Sequence, residues 1–267
     1  METRRYGMLP ADVYRLTGVA EPHISPDGTR VAYQVWWVDE EENSYRGAIW
    51  SAALRGPASD GGTPPRRLTW SERREAAPRW SPDGKWLAFT SSRDGHDGGK
   101  APQQLYVMPA DGGEARRLTD GGEDVSQLAW SPDSTRIAFT RRVPDDPEED
   151  ERKRAPRRVR RLFYKLDGAG WLTDRRAHIF VASLDGGDVR QLTDGDCEDS
   201  QPAFSPDGGQ IAQLHARRAL GRRAAGPHLP GQCRWRRAGG TDRHRRVVYR
   251  RLLLAGRHAD RALLRPR

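Results

Sequence analysis

The chain has 267 residues, 35% of them apolar, with nine tryptophans and a net charge of +9. That is length for one large β domain or two smaller ones, with enough large side chains for a core, so a wholly disordered chain is excluded. No stretch of about 18 apolar residues exists to form a membrane-spanning helix.

The charge is unevenly spread. Residues 214–267 hold 16 arginines, no lysine, and only Asp242 and Asp260 as acids. The other 213 residues carry 30 basic and 35 acidic side chains, so the body is mildly acidic and the basicity belongs to the tail. The opening residues Met1 to Pro10 lack the apolar core of a secretory signal, and two cysteines, Cys197 and Cys233, make no disulfide framework. A cytoplasmic protein is expected.

Taken in order, the chain repeats one phrase four times: Ser25-Pro26-Asp27-Gly28, Ser81-Pro82-Asp83-Gly84, Ser131-Pro132-Asp133-Ser134 and Ser205-Pro206-Asp207-Gly208. Proline presets φ at the second turn position, aspartate bonds its own downstream backbone, and glycine supplies positive φ. After each turn comes a short apolar run: Val31-Ala32-Tyr33, Leu87-Ala88-Phe89, Ile137-Ala138-Phe139 and Ile211-Ala212. These read as strands.

Further landmarks keep phase with the turns. Strands at Ala48-Ile49-Trp50, Gln104-Leu105-Tyr106-Val107 and His178-Ile179-Phe180-Val181 precede Asp60-Gly61-Gly62, Asp111-Gly112-Gly113 and Asp185-Gly186-Gly187. The Asp-Gly pairs are expected to form tight two-residue hairpin turns with positive φ at both central residues. Leu68-Thr69, Leu118-Thr119 and Leu192-Thr193 follow, then Trp80, Trp130 and Phe204 just before the next Ser-Pro-Asp. Four antiparallel strands in a repeat of about 50 residues predict blades of a β-propeller. The repeated aromatics are expected in the core between blades rather than in a ligand cage.

The fold predicted is thus all-β. Residues 1–213 make a partial propeller of about three and a half blades, with repeats starting near 25, 81, 131 and 205. An insertion near 141–176 lengthens the third unit. Its charge blocks, Asp145 to Glu151 and Arg152 to Arg158, read as a solvated loop.

Several stretches resemble the prolyl oligopeptidase family, specifically its acylaminoacyl-peptidase-like branch. They are Leu9 to Leu16 leading into Pro22 to Gly28, Val38 to Tyr45 leading to Ile49-Trp50, Leu162 to Gly170, and Asp174 to Phe180. The resemblance covers about residues 8–212. The Ser-Pro-Asp-Gly repeats alone are also similar to those of TolB-like propellers. In the peptidase family the propeller caps a C-terminal α/β-hydrolase domain that cleaves peptides, and it restricts entry to short ones. The resemblance therefore implies a peptide substrate and a hydrolase domain as partners. That chemistry needs a serine on a strand-to-helix turn, usually Gly-x-Ser-x-Gly, followed by an aspartate and a histidine. The chain has no such motif and no serine after Ser205. It is expected to hold no catalytic residue, no cofactor-binding residue and no metal ligand, and to be inactive by itself.

The tail reads as a shifted frame. It lacks Lys, Glu, Ile, Phe, Met, Asn and Ser and is dominated by residues with GC-rich codons. Leu254 to Ala262 can be encoded so that a one-base shift spells Ser-Pro-Asp-Gly-Thr-Arg-Ile-Ala. Thr241 to His244 likewise permits Leu-Thr-Asp-Thr, Arg234 to Arg236 permits Asp-Gly-Gly, and His228 to Cys233 permits a strand. The hidden Leu-Thr falls 13 positions before the hidden Ser-Pro-Asp, as Leu118 precedes Ser131. The shift lies near Ala212 to Leu214, where Gln213 stands in place of an aromatic. Residues 214–267 are therefore expected to be out of frame and irregular or disordered. On that reading His228, Cys233, His244 and His258 are no zinc site, since their spacing is not compact. The arginines with Trp235 and Tyr249 are no designed nucleic-acid surface either.

Overall fold

The computed structural model describes residues 7, 9–54, 64–94, 101–144, 165–166, 170–171, 175–187, 189–195, 197–217 and 232–237. After a 3-10 turn (Pro10–Arg15), strands β1 (Thr17–Ile24), β2 (Arg30–Asp39), β3 (Ser44–Ala53) and β4 (Arg66–Arg67) pair in chain order as blade 1. Blade 2 repeats the pattern with β5 (Glu75–Trp80), β6 (Trp86–Ser91), β7 (Gln104–Pro109) and β8 (Arg116–Arg117). Blade 3 uses β9 (Val125–Trp130) and β10 (Arg136–Pro144). A small hairpin of β11 (Lys165–Leu166) and β12 (Gly170–Trp171) intervenes before β13 (Arg175–Ser183) and β14 (Arg190–Gln191) complete that blade. Blade 4 has three described strands, β15 (Cys197–Phe204), β16 (Gln210–Arg217) and β17 (Gln232–Arg237). All pairings within the sheets are antiparallel. The expected all-β partial propeller of about three and a half blades is the fold observed.

Each Ser-Pro-Asp turn is closed by the same bonds. The N–H of the fourth residue donates to the serine carbonyl at 2.8–2.9 Å in all four copies. Gly28, Gly84 and Gly208 take φ of 69°, 71° and 67°, and Ser134 takes 59° in the third copy. The serine does more than start the turn. Ser81 Oγ–H donates to Asp83 Oδ1 (2.6 Å), and the same oxygen accepts the N–H of Trp86 (2.9 Å). Ser25, Ser131 and Ser205 repeat this with the N–H groups of Arg30, Arg136 and Gln210. A hydroxyl is the smallest group that satisfies a carboxylate and a strand amide together inside a buried corner.

The Leu-Thr pair is a clamp on the third strand. Leu68, Leu118 and Leu192 donate their N–H to the carbonyls of Ile49, Leu105 and Ile179, each at 2.8 Å. The N–H groups of those same three residues donate to Thr69, Thr119 and Thr193 Oγ1, each at 2.9 Å. A two-residue fourth strand is thus extended by one side-chain bond.

The Asp-Gly hairpins differ from expectation. The turns close from Gly112 N–H to Pro109 O and from Gly186 N–H to Ser183 O, so Asp111 and Asp185 occupy the third position and glycine the fourth. Only the glycines have positive φ (95° at Gly112, 86° at Gly186). An ordinary turn followed by a left-handed glycine reverses the chain here, and the aspartate keeps negative φ. Asp60-Gly61-Gly62 lies outside the described residues.

The core sits between blades. Leu87, Ala88 and Phe89 are all fully buried because the second strand is covered on both faces by neighbouring sheets. Between blades 1 and 2 lie Ile49, Leu68, Trp80, Leu87, Phe89 and Met108. Between blades 2 and 3 lie Leu105, Val107, Leu128, Ile137, Phe139 and Phe180. Trp80, Trp130 and Phe204 join these cores and the next one, as expected. The indole N–H groups add a bond across the first two junctions: Trp80 donates to His23 O (3.1 Å) and Trp130 to Arg79 O (2.9 Å), repeat-equivalent carbonyls on the preceding blade. Between blades 3 and 4 the apolar cluster is smaller, Ala138, Ile179, Val181 and Ile211. There Gln213 is buried at the register position that Tyr33, Phe89 and Phe139 hold in the other blades.

Of the arginine-rich tail, 214–217 and 232–237 are described and lie in strands β16 and β17, so β16 runs across the 213/214 boundary drawn from composition. The rest of the tail and the charge blocks at 145–158 lie outside the described residues.

Candidate functional site

The four Ser–Asp pairs are the first arrangement to weigh, because a serine beside a carboxylate suggests a nucleophile. Here each hydroxyl already accepts a strand N–H and donates to aspartate, so its lone pairs and proton are committed to the turn. The bonds act on the carboxylates. The Ser25 hydroxyl, then the Thr29 N–H and hydroxyl, hold the Asp27 carboxyl down at about 2. Ser131 and Thr135 hold Asp133 at about 2 despite partial burial. Asp207 is lowered by Ser205 and the Gly209 N–H. At Asp83 burial pushes upward, but the Ser81 hydroxyl and the Lys85 N–H together keep it below the usual range.

The second arrangement lies along the first strands, β1, β5, β9 and β15, each of which touches the next. Every one is broken by a bulge at the same repeat position, marked by positive φ at Glu21 (53°), Ala77 (54°), Gln127 (54°) and Gln201 (52°). The bulges turn side chains and amides toward neighbouring first strands. Arg79 donates to Glu21 Oε2 (2.7 Å), and Gln201 N–H donates to Gln127 Oε1 (2.7 Å). Apart from these bulges, a cleft of about 590 Å³ opens between blades 1 and 2, lined by Leu68, Trp70, Arg73, Arg93, Met108 and Glu114. Trp70 is 74% exposed with the Arg67 guanidinium 4.7 Å from its ring centre. Arg93 pairs with the wholly buried Glu75. Cation, aromatic ring and open volume together suit binding rather than bond-making.

The third arrangement is a buried polar cluster between β13, β15 and β16. Asp199 Oδ1 faces His215 Nδ1 (2.7 Å) and accepts from Gln213 Nε2 (3.1 Å). Its Oδ2 lies 3.5 Å from His178 Nδ1 and 3.7 Å from Cys197 Sγ. Burial pushes the Asp199 carboxyl up, but hydrogen bonds from His178, His215 and Thr193 outweigh it and leave the group lowered. Sequence reasoning took His178 only as a strand landmark and Cys197 only as an unpaired thiol. The available signal was the Cys-x-Asp spacing, which puts residues 197 and 199 on one face of a strand.

Of the tail residues considered for metal or nucleic acid, Cys233 and Trp235 fall in β17. His228, His244, His258 and Tyr249 lie outside the described residues. Among the described residues no helix is long and apolar enough to cross a membrane.

Comparison with known proteins places these features. Residues 19–148 match the family described as TolB beta propeller domain. The chain is 38% identical over 203 residues to "Uncharacterized peptidase YuxL" of Bacillus subtilis (strain 168), which covers 74% of this chain and 29% of the relative. It is 29% identical over 224 residues to "Dipeptidyl-peptidase 5" of Porphyromonas gingivalis, covering 77% of this chain and 30% of that one. The chain thus spans about three-tenths of the length of these relatives. Among solved structures, Pyrococcus horikoshii acylaminoacyl peptidase matches with a TM-score of 0.58 at 16% identity, over 85% of this chain and 32% of that one, a likeness of fold. The chain carries a partial β-propeller related to the propellers of TolB and of proteins of the prolyl oligopeptidase superfamily.

Proposed function

We propose that this chain is the non-catalytic propeller portion of a serine peptidase of the acylaminoacyl-peptidase or dipeptidyl-peptidase type. In the intact protein it would gate the access of short peptides to a C-terminal α/β-hydrolase domain. The observation that carries the reading is the 38% identity to a peptidase over 203 residues, which fall within a 29% share of that relative's length. The repeated turns, the bulged first strands and the cleft beside Trp70 and Arg93 support a scaffold that narrows and lines an entrance. A cytoplasmic location goes with this reading, supported by the sparse use of cysteine in the sequence. The match of residues 19–148 to the TolB propeller family favours one second reading, a protein-binding propeller without chemistry.

Kinetics separate the two. The chain as given should not turn over an acyl-aminoacyl or short-peptide chromogenic ester. A frame-restored gene carried through its downstream sequence should do so, with activity lost when the serine of its Gly-x-Ser-x-Gly is replaced. Inactivity of the restored protein on every such ester would favour the binding module.

A further inference from the structure

Blades 3 and 4 meet at a place where the repeat does not dictate the side chains. His178 on β13 holds the position of Gln104 in blade 2 and Ala48 in blade 1. Asp199 on β15 holds the position of Val125 in blade 3 and Glu75 in blade 2. Glutamine and alanine serve the fold at the His178 position and valine at the Asp199 position of blade 3, while blade 2 buries Glu75 there against Arg93. What blade 4 adds is a histidine and a cysteine beside the buried carboxylate in place of an arginine. The donor atoms of His178, Cys197 and Asp199 all lie within 4.8 Å of one another.

We propose that His178 Nδ1, Cys197 Sγ and Asp199 Oδ2 form a structural site for a zinc-class divalent cation that ties blade 3 to blade 4.

Four observations carry this. The first is spacing. Ligands about 2.0–2.3 Å from a tetrahedral zinc stand roughly 3.3–3.8 Å apart. Asp199 Oδ2 is 3.5 Å from His178 Nδ1 and 3.7 Å from Cys197 Sγ, and the His178–Cys197 pair, within 4.8 Å, would close by up to about 1 Å on binding. The second is an enclosure of the thiol by oxygen acceptors. One S–H is surrounded by Asp199 Oδ2, the Asp194 carbonyl (3.3 Å) and the Gly195 carbonyl (3.8 Å), while Gln213 Oε1, on a side chain bonded to Asp199, has no partner. An electron-rich enclosure of this kind favours a cation. The third is support from behind. In the chain as it stands, with the residues at and after the proposed frame shift, His215 Nδ1 and Gln213 Nε2 hold the other carboxylate oxygen, which fixes Oδ2 toward His178 and Cys197, as outer partners orient a ligating group. The fourth is charge. A dication with one thiolate, one carboxylate and a neutral imidazole sums to zero, which suits full burial.

A thiolate and an imidazole select zinc over magnesium or calcium. Binding forms one metal–sulfur, one metal–nitrogen and one metal–oxygen bond. It breaks the S–H bond, whose proton goes to solvent, and the His178 proton that faces Asp199 moves from Nδ1 to Nε2 so that the Nδ1 lone pair can ligate. The Asp194 carbonyl, 3.3 Å from Cys197 Sγ, and Thr193 Oγ1, 3.4 Å from His178 Nδ1, are further oxygens beside the cluster for a fourth position. With all three ligands buried the site is closed, so its role is to hold strands together.

The test uses the full chain and Co(II) as probe, followed by displacement with Zn(II). The folded wild type should take up one cobalt per chain and show the thiolate-to-cobalt charge-transfer band. Cys197→Ser should lose the band, and Cys233→Ser should keep it. His178→Gln and Asp199→Val, which install residues found at the same positions in other blades, should keep the β-sheet spectrum and weaken zinc binding at least tenfold. Loss of the outer partner in His215→Ala should weaken it about 10–100-fold. In the unmodified chain a chelator should lower the unfolding midpoint and added zinc should restore it. No stoichiometric uptake by the folded wild type would overturn the proposal. So would a band that survives Cys197→Ser or vanishes in Cys233→Ser, or a midpoint indifferent to chelator and zinc.

Discussion

At the scale of single residues, the turn aspartates link acid to stability. The Asp27 and Asp133 carboxyls are held at about 2, below the value near 3.9 of an unfolded chain. The unfolded state therefore takes up protons first as the pH falls. The stability these groups contribute is fully present above about pH 4 and is lost as the pH drops through 2. Denaturant midpoints measured from pH 5 to 2 should fall steeply, and Asp133→Asn should lower the midpoint at pH 5 and flatten the slope. An unchanged slope would show that the carboxylate is not held by its turn. Ala77 makes a second test. Its φ of 54° is unfavourable for a side chain and worse for a branched one. Ala77→Gly should leave stability within about 0.5 kcal/mol, relief of strain offsetting added chain entropy, whereas Ala77→Val should cost about 1–2 kcal/mol. Chemical denaturation of the two variants checks this.

At the scale of the element, the strands and turns are written in the sequence with their phase. Proline, aspartate and glycine specify the turn locally, and Leu-Thr marks the fourth strand because its hydroxyl completes the pairing. The bulges are not written there. Glu21, Ala77, Gln127 and Gln201 share a backbone position but no side-chain chemistry, because the bend answers to the crowding of neighbouring first strands. The His178–Cys197–Asp199 cluster was equally hidden, since β13 and β15 belong to different blades and meet only in three dimensions. The Asp-Gly hairpin departs from the sequence expectation because glycine there follows an ordinary turn instead of forming its centre. The junction bonds allow a sharper test. Trp80→Phe keeps the packing but strands the His23 carbonyl, and should cost about 1–3 kcal/mol in a thermal or urea melt. Gln213→Phe restores the aromatic that other blades carry but removes the Nε2 donor that holds Asp199 Oδ1, so it should lower the unfolding midpoint. A raised midpoint would mean that aromatic packing outweighs the hydrogen bond to Asp199.

At the scale of the whole molecule, blade 1 presents Val19 (67% exposed), Ile24 (58%) and Leu54 on a sheet that other blades cover with a neighbour. Exposed apolar surface beside unpaired strands promotes association. The chain alone should self-associate, giving a mass above 30.1 kDa by light scattering; a monodisperse, cooperatively melting monomer would contradict this. If the proposed function holds, this scaffold serves chemistry encoded beyond it. The most direct measurement is the sequence of the encoding DNA across codons 212–214 and downstream of codon 267. It should show a single-base shift near Gln213, after which the tail resolves into a further Asp-Gly-Gly, Leu-Thr and Ser-Pro-Asp, with a Gly-x-Ser-x-Gly further along. An unshifted reading with no such motif downstream would contradict that function.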